Sequence, residues 1–219
     1  MDFLHIARLL FYGVETTVIV TLTCCITGFC VALFMMASLV AIQSKLLLSV
    51  YNAFSYVFRA IPVLVMIFLV YFGMASVMNL SLPPLIAINL SLGLIAAAYL
   101  YEVFRGALES VDQAELKVAK AQGMKSYQIV LYIQLPQVLR LSFPGMINEF
   151  TSVLKYSPFS YTIGVGDIMK QAMALTATTL NAIEIYSLVG VFYFLIYKCF
   201  LFGMQYVNKR FNHMQIKHL

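Results

Sequence analysis

Long apolar runs separated by short polar intervals constrain this chain more than any other feature. Of its 219 residues, 62% are hydrophobic and 11% are charged, and the mean hydropathy is +0.90. Soluble domains use about 45–50% apolar and about 25% charged residues, so a soluble globular domain is excluded. The sequence predicts an all-α integral membrane protein.

Five of these runs are predicted to cross a bilayer, which takes about 20 apolar residues in a helix, and the third of them is short. The predicted spans are residues 14–42, 50–80, 85–101, 143–163 and 183–206. We expect a single transmembrane domain over residues 1–219, without room for an attached nucleotide-binding domain. The first run is long and has no small-residue processing site at its end, so we expect it to stay as a helix.

The basic residues predict the orientation. With the N-terminus outside, ten of the 14 lie on or near the cytoplasmic side: Lys45, Arg59, Arg105, Lys117, Lys120, Lys125, Arg140, Lys209, Arg210 and Lys217. Only Arg8 and Lys170 lie outside, so the positive-inside rule favours an outer N-terminus and a cytoplasmic C-terminus. The net charge of +5 then reflects topology and anionic lipid rather than nucleic acid, because the basic residues are split between loops.

Catalytic signatures are missing from the sequence. It has no phosphate-binding loop of the form G-x-x-x-x-G-K-[ST], no H-E-x-x-H and no G-x-S-x-G. We therefore expect no enzymatic activity and no metal site in this chain. Its four cysteines, Cys24, Cys25, Cys30 and Cys199, all fall within predicted spans, where we expect them to be small apolar packing residues.

The longest polar interval, residues 115–136, lies within a predicted cytoplasmic loop at 105–140. Good helix-forming residues predict a helix over 113–122 that ends at Gly123. Leu116, Ala119 and Gly123 share one slim face, which we expect to enter a cleft on another protein. An amphipathic loop resting on the membrane surface stays an open alternative.

A second helix should follow in this loop. Ser126 is predicted as its N-cap, and Pro136 is predicted to end it. Ile129, Val130 and Ile133 would form its apolar stripe. The loop is thus predicted to be two short helices joined at a glycine.

The spacing in this loop resembles that of permease subunits of binding-protein-dependent ABC importers. Their cytoplasmic loop carries E-A-A, three residues, Gly, nine residues and I-x-L-P. The matching residues here are Val118, Ala119, Gly123, Ile133, Leu135 and Pro136. Lys117 stands where the motif has its leading Glu, and Glu115 lies two residues upstream.

Further runs resemble the polar amino acid branch of these permeases. They are F-R-A-I-P-V-L at 58–64, Y-F-G at 71–73, E-V-F-R-G-A at 102–107, L-P-Q at 135–137 and N-E-F at 148–150, followed by L-K at 154–155. The similarity covers most of the chain, from Gly13 to Lys198. It implies the type I importer permease fold, in the inner membrane of a bacterium.

The resemblance also implies a function and a set of partners. The chain would import a polar amino acid, or a related small amino compound, by alternating access. A binding protein would deliver the substrate, a second permease copy or homologue would complete the pathway, and two copies of a separate ATPase would bind the ATP and Mg. No cofactor would be bound by this chain itself. The residues that would couple to the ATPase are Glu115, Leu116, Lys117, Val118, Ala119, Gly123 and Pro136.

Polar residues in the fourth span are the main candidates for the substrate pathway, because they are costly to expose to lipid. Asn148, Ser152 and Lys155 share one helical face, and Glu149 and Tyr156 share the adjacent one. Glu149 would suit an ammonium group, whereas Lys155 and Asn148 would suit a carboxylate. Alternatively, Glu149 and Lys155 bind neighbouring helices and hold a dimer together. Separately, Pro158 should break the helix just beyond these residues.

Other positions in the spans have a structural and a functional interpretation. Arg59, just before Pro62, is predicted either to gate the pathway or to support a helix break. Glu102 and Arg105, one turn apart, should form a local ion pair or an anchor for the loop. Gly28, Gly93 and Gly190 are expected to allow close helix packing.

Two positions depart from the polar amino acid permeases. Met66 stands where they often carry an amide, and Tyr156 stands where they commonly carry an acidic or amide residue. Both changes make the pathway less polar, which leaves a less polar amino acid open as the substrate.

Two functions of other classes remain open from the sequence. A secondary carrier or channel would work without ATP, but Glu15, Glu149 and Glu184 form no obvious proton or ion relay. A scaffold protein would use the cytoplasmic loop only to recruit a partner.

Overall fold

Helices make up nearly all of the chain in a computed structural model that describes the backbone of residues 3–216 and the side chains of residues 6–209. The α-helices are α1 (Phe3–Ile42), α2 (Lys45–Ala60), α3 (Val63–Phe68), α4 (Met74–Met78), α5 (Pro84–Glu109), α6 (Gln113–Ala121), α7 (Ser126–Ile129), α8 (Leu135–Tyr156), α9 (Ile168–Thr179) and α10 (Ala182–Ile216). Two π-helical turns, Leu69–Gly73 and Val130–Gln134, and a 3₁₀ segment, Ser157–Ile163, join some of them. The described residues contain no strand, which confirms the all-α prediction.

Three of these helices are long and apolar enough to cross a membrane: residues Ile6–Ile42 of α1, α5, and Ala182–Lys209 of α10. A fourth span results if α2 and the segment Val63–Met78 count as one bent unit. The predicted fourth span corresponds to α8, which is less apolar because Arg140, Glu149 and Lys155 lie in it. The five predicted spans are reached only when the bent unit and α8 are both counted.

The predicted second span is not one continuous helix. At Ile61–Pro62 the chain bends by 105° between α2 and the segment that follows. Proline fixes its own backbone and disfavours helix in the residue before it, so a break at this point is expected. The irregular backbone expected at Pro62 is therefore confirmed, and the predicted span over 50–80 is divided there into separate helices.

The end of the fourth span was predicted more closely. The α-helical geometry of α8 stops at Tyr156, and Pro158 lies in the first turn of the 3₁₀ segment Ser157–Ile163. This confirms a break at Pro158. Residues 168–179, which the sequence placed only in an outer loop, instead form helix α9 against α1 and α10.

Close contact between α1 and α5 is the main packing interaction of the fold. A Cβ atom added at Gly28 would lie 2.6 Å from Ala96 Cβ, and one added at Gly93 would lie 2.9 Å from Thr27 Cγ2. Only glycine allows helices this close, so the predicted role of both residues is confirmed. By contrast, a Cβ at Gly190 would meet no described atom within 4 Å.

The buried residues form three apolar clusters along the bundle. One cluster lies at the end that carries α6, the α6 end, where it joins Met35 of α1, Phe104 of α5 and Val138 of α8. Another joins Ile6 of α1 and Ile185 of α10 at the opposite end. The starts of α1 and α10 thus lie opposite the α6 end. The inside-outside orientation itself stays a prediction, and Lys217 lies outside the described residues.

The cysteines divide into two pairs. Cys24 and Cys25 are buried, as expected for packing residues, whereas Cys30 and Cys199 are exposed. The expected packing role is therefore confirmed within this chain for Cys24 and Cys25 only. The side chains of Cys30 and Cys199 lie on the outer surface of α1 and α10.

Candidate functional site

Helix α6 forms because both of its ends are capped. The Asp112 carboxylate accepts a hydrogen bond from the Ala114 N–H at 2.8 Å, which satisfies one unpaired donor of the first turn. At the other end Gly123 adopts φ +82°, a left-handed conformation that suits glycine. The predicted helix over 113–122 is confirmed to within one residue.

The orientation of α6 reverses one prediction. Leu116 and Ala119 are 8% and 3% exposed and belong to the apolar cluster at the α6 end, together with Ile129 and Val138. Burial of Leu116 is favourable because its side chain leaves water. The face predicted to enter a partner therefore packs on this chain, and the opposite face is the one that is free.

Lys117 and Val118 lie on that exposed side, and Val118 is 56% exposed. Glu115 is exposed as well, but its carboxylate is engaged, because Oε2 accepts a hydrogen bond of 2.5 Å from Gln137 Nε2. This bond joins α6 directly to the first turn of α8. Together with the Leu116 contacts, it fixes α6 to the helix that carries the candidate substrate residues.

The second helix of the loop begins and ends differently from the prediction. Lys125, rather than Ser126, is the N-cap residue: it has extended backbone angles, and its N–H donates to Gln128 Oε1 at 2.8 Å. Pro136 does not end the helix. It lies in the first turn of α8, after a π turn in which the Leu135 N–H donates to the Val130 carbonyl. The π turn accommodates the proline, because it shifts the backbone hydrogen bonds just before a residue that has no N–H to donate.

Glu149 is an unusual residue in the middle of α8. Its side chain is 6% exposed, and its Oε1 has no hydrogen-bond partner among the described residues. Tyr156, two turns further along, is half-buried on the same side. Burying a carboxyl group without a partner costs several kcal/mol, so the rest of the fold must offset the cost of keeping Glu149 inside the bundle.

Asn148, Ser152 and Lys155 face elsewhere. Asn148 and Lys155 are exposed, and the Ser152 hydroxyl donates to the Asn148 carbonyl at 3.0 Å. The structure therefore separates the two predicted charges: Glu149 lies inside the bundle, whereas Lys155 lies on its surface. Within one chain they do not line a common cavity.

Comparison with known proteins adds to this geometry. Residues 28–213 match the family of binding-protein-dependent transport system inner membrane components. The chain belongs to this family. This membership agrees with the resemblance noted in the loop and along the spans.

Among the relatives of this inner membrane component, the probable amino-acid permease protein YxeN of Bacillus subtilis (strain 168) is 34% identical over 141 residues. That match covers 64% of this chain and 63% of YxeN, a little less than two thirds of its length. The glutamine transport system permease protein GlnP of Escherichia coli (strain K12) is 28% identical over 155 residues, 70% of this chain and 71% of GlnP.

Solved structures match over nearly the whole chain. An amino acid ABC transporter crystallised with histidines superposes with a TM-score of 0.85 at 25% identity, covering 96% of this chain and 99% of that one. The inward-facing MetNI methionine ABC transporter gives a TM-score of 0.77 at 20% identity, over 93% and 96% of the two chains, which supports the fold alone. The predicted importer permease fold is thereby confirmed.

Arg59 of the inner membrane component supports the bend in its second span. Its guanidinium pairs with Glu102 Oε1 at 3.3 Å and lies over the Tyr99 ring, 5.8 Å from the centroid. Glu102 also pairs with Arg105 at 2.9 Å, which confirms the predicted local ion pair. The last turn of α2 is thus tied to α5 just before Pro62, as the helix-break interpretation requires.

Met66 follows that bend and is 6% exposed, packed beside the fully buried Ile67. The structure places it in the core of the chain rather than in a described cavity. Its place in the substrate pathway stays a prediction.

A buried polar group at Asp167 was missed from the sequence. Its side chain is fully buried, caps α9 by accepting the Lys170 N–H at 2.8 Å, and accepts a 3.2 Å hydrogen bond from Ser160. The Thr17 hydroxyl of α1 accepts a hydrogen bond of 3.2 Å from the N–H of Ile168, the residue that follows Asp167. An aspartate directly before an apolar helical run is an N-cap signal, which would have identified this helix.

Proposed function

We propose that this chain is the translocation subunit of an ATP-driven importer for an amino acid or a related small amino compound. The observation that carries the proposal is the attachment of α6 to α8: Leu116 packs into the core and Glu115 bonds Gln137. An ATPase that holds α6 would thereby act on the helix that carries Glu149. The match to a solved amino acid transporter over 96% of the chain supports this assignment.

Coupling would require that the ATPase contacts one conformational state of the permease better than the other. ATP binding would bring the two ATPase copies together, and this movement would change the contacts between the ATPase and α6. The permease would then alternate between outward-open and inward-open states, because a ligand shifts an equilibrium only when it binds one state better. ATP and Mg would stay on the ATPase, and this chain would bind no cofactor.

Within the pathway, we assign Glu149 to the ammonium group of the substrate. Its unpartnered Oε1 would gain a charged hydrogen bond that the resting structure lacks. Because Glu149 is almost fully buried, the packing around Tyr156 has to open in one of the two states. Asn148 and Lys155, on the exposed face, would meet the carboxylate in a pathway shared with a second permease.

The substrate itself would be an amino acid of limited polarity. Met66 and Tyr156 bring no charge to the pathway, and Arg59 is already paired with Glu102. Glu149 would thus be the acidic group available for one ammonium. A substrate with a second cationic group would find no second carboxylate in α8, where Glu149 is the acidic residue.

The exposed surface of the chain favours assembly in the membrane. Only 11% of the most apolar part of α10 is buried, so the rest of it must contact lipid or a second permease. A substrate-binding protein would dock at the end opposite α6. We place the assembly in the inner membrane of a bacterium, with the α6 end in the cytoplasm.

Purification of the tagged chain from its host in mild detergent tests this function. A co-purifying ATPase, with ATP hydrolysis stimulated by the loaded binding protein after reconstitution into liposomes, is the expected result. Recovery of the chain without an ATPase, from membranes in which comparable complexes survive, would refute the proposal. Uptake that follows an ion gradient and survives ATP depletion would point instead to a secondary carrier.

A further inference from the structure

The free face of α6 has a simple composition. It lies opposite Leu116 and Ala119 and consists of Ala114, Lys117, Val118 and Ala121, all of them exposed. Two alanines and a valine make a narrow surface that a cleft can enclose closely. Lys117 is the one charged residue of this outward set.

The acidic and basic side chains in and beside α6 differ in whether they have partners. Its acidic neighbours are engaged, since Asp112 caps the helix and Glu115 bonds Gln137. In contrast, the amino groups of Lys117 and Lys120 have neither an ion pair nor a hydrogen bond among the described residues. Positive charge is therefore what this helix offers to a partner.

A close cleft would remove water from the amino group of Lys117. A desolvated charge is costly unless it finds an opposite charge with good geometry. We propose that the cleft of the ATPase that receives α6 presents an Asp or Glu carboxylate to Lys117. This inference rests on the proposed function, and it adds the chemistry by which this permease selects its ATPase.

An anionic lipid headgroup is a weaker candidate for the same charge. Recognition of anionic lipid uses clusters of about 4–8 basic residues. Helix α6 carries two, Lys117 and Lys120, and the side chains next to Lys117 on its outward face are uncharged. A protein cleft fits this surface better.

Substitution of Lys117 by Glu, Met and Arg tests the pairing. Each variant is purified with its ATPase and placed in nanodiscs of phosphatidylcholine, a lipid without net charge. Retention of the ATPase and substrate-stimulated ATP hydrolysis are then measured. We expect Lys117→Arg to behave like the wild type. Lys117→Met should weaken retention of the ATPase by about 30-fold or more, the loss expected when one member of a desolvated charge pair is removed, and stimulation should fall with it. Lys117→Glu should lose more, because it places two carboxylates together.

Lys209→Glu is the matched control, since Lys209 is also exposed but lies on α10. It should leave stimulation and retention unchanged. Charge reversal of one acidic residue of the ATPase cleft should then restore function to Lys117→Glu. That rescue would identify the partner carboxylate directly.

Three outcomes would overturn the inference. Lys117→Glu with stimulation equal to or above that of the wild type would mean that the cleft offers no carboxylate. Equal losses for Lys117→Glu and Lys209→Glu would show a general effect of net charge. The same variants are also measured in nanodiscs that contain anionic lipid, and a loss that appears there but not in phosphatidylcholine would assign the contact to lipid. Failure of the wild type to retain any ATPase would instead refute the proposed function, so the two failures are distinguishable.

Discussion

One added methyl group should measurably weaken the contact between α1 and α5. In Gly28→Ala the new Cβ would lie 2.6 Å from Ala96 Cβ and 3.2 Å from the Ala97 N and Gly93 O atoms. Carbon atoms in ordinary contact are about 3.5–4.0 Å apart, so the two helices must separate by about 1 Å. Such overpacking costs about 1–3 kcal/mol. Alanine also gains about 0.8–1.0 kcal/mol over glycine inside a helix. From an overpacking cost of about 2 kcal/mol this leaves a net loss of about 1 kcal/mol, which lowers the Tm of a chain of this size by about 2–4 °C.

Thermal unfolding in detergent, followed by the helical circular dichroism signal, measures this shift. Gly190→Ala is the matched control, because its Cβ would meet no described atom within 4 Å. Alanine is favoured over glycine inside a helix by about 0.8–1.0 kcal/mol, so this control should unfold at or slightly above the wild-type temperature. A Gly28→Ala variant with the wild-type Tm would refute the close approach of α1 and α5.

Three further predictions concern the loop and the spans. Gly123→Pro should insert normally but lose substrate-stimulated ATP hydrolysis, since proline cannot adopt the φ of +82° that ends α6; normal stimulation would remove this turn from the mechanism. Glu149→Gln should lower the stimulation by about tenfold or more, because a charged hydrogen bond to the substrate is lost. It should not lower the Tm, because Oε1 has no hydrogen-bond partner to lose among the described residues. Wild-type stimulation would exclude Glu149 from substrate binding. Arg59→Ala should destabilise the chain by only about 0.5 kcal/mol, as its ion pair with Glu102 is partly exposed; a double-mutant cycle with Glu102→Gln measures that coupling, and a value near zero would contradict the tie between α2 and α5.

Much of the fold could be predicted because membrane helices are specified by composition and by single residues. Apolar runs located α1, α5 and α10, and a run of helix-forming residues that ends at Gly123 located α6. Gly28 and Gly93 were identifiable because only glycine permits such close backbones. The spacing of the loop motif indicated the family.

The errors concern features that depend on neighbouring elements. Leu116 and Ala119 were assigned to a contact with a partner protein. The apolar pattern of a helical face predicts that the face is buried, but it does not identify the surface that buries it. Pro136 was expected to end a helix, but the π turn before it allows the chain to continue into α8. Pro62 predicted a break, and the size of the bend depends on how Arg59 and Glu102 join α2 to α5. None of these contacts between elements is visible in local sequence.

The hydrogen bond between Glu115 and Gln137 lies at one end of the long helix α8. Helix α8 has 22 residues, and at 1.5 Å per residue it is about 33 Å long. A tilt of about 5° at its α6 end would therefore displace the region of Tyr156 by about 3 Å, the length of one hydrogen bond. A small rotation of α6, amplified along this lever, would be enough to make or break contact with a substrate near the middle of the membrane.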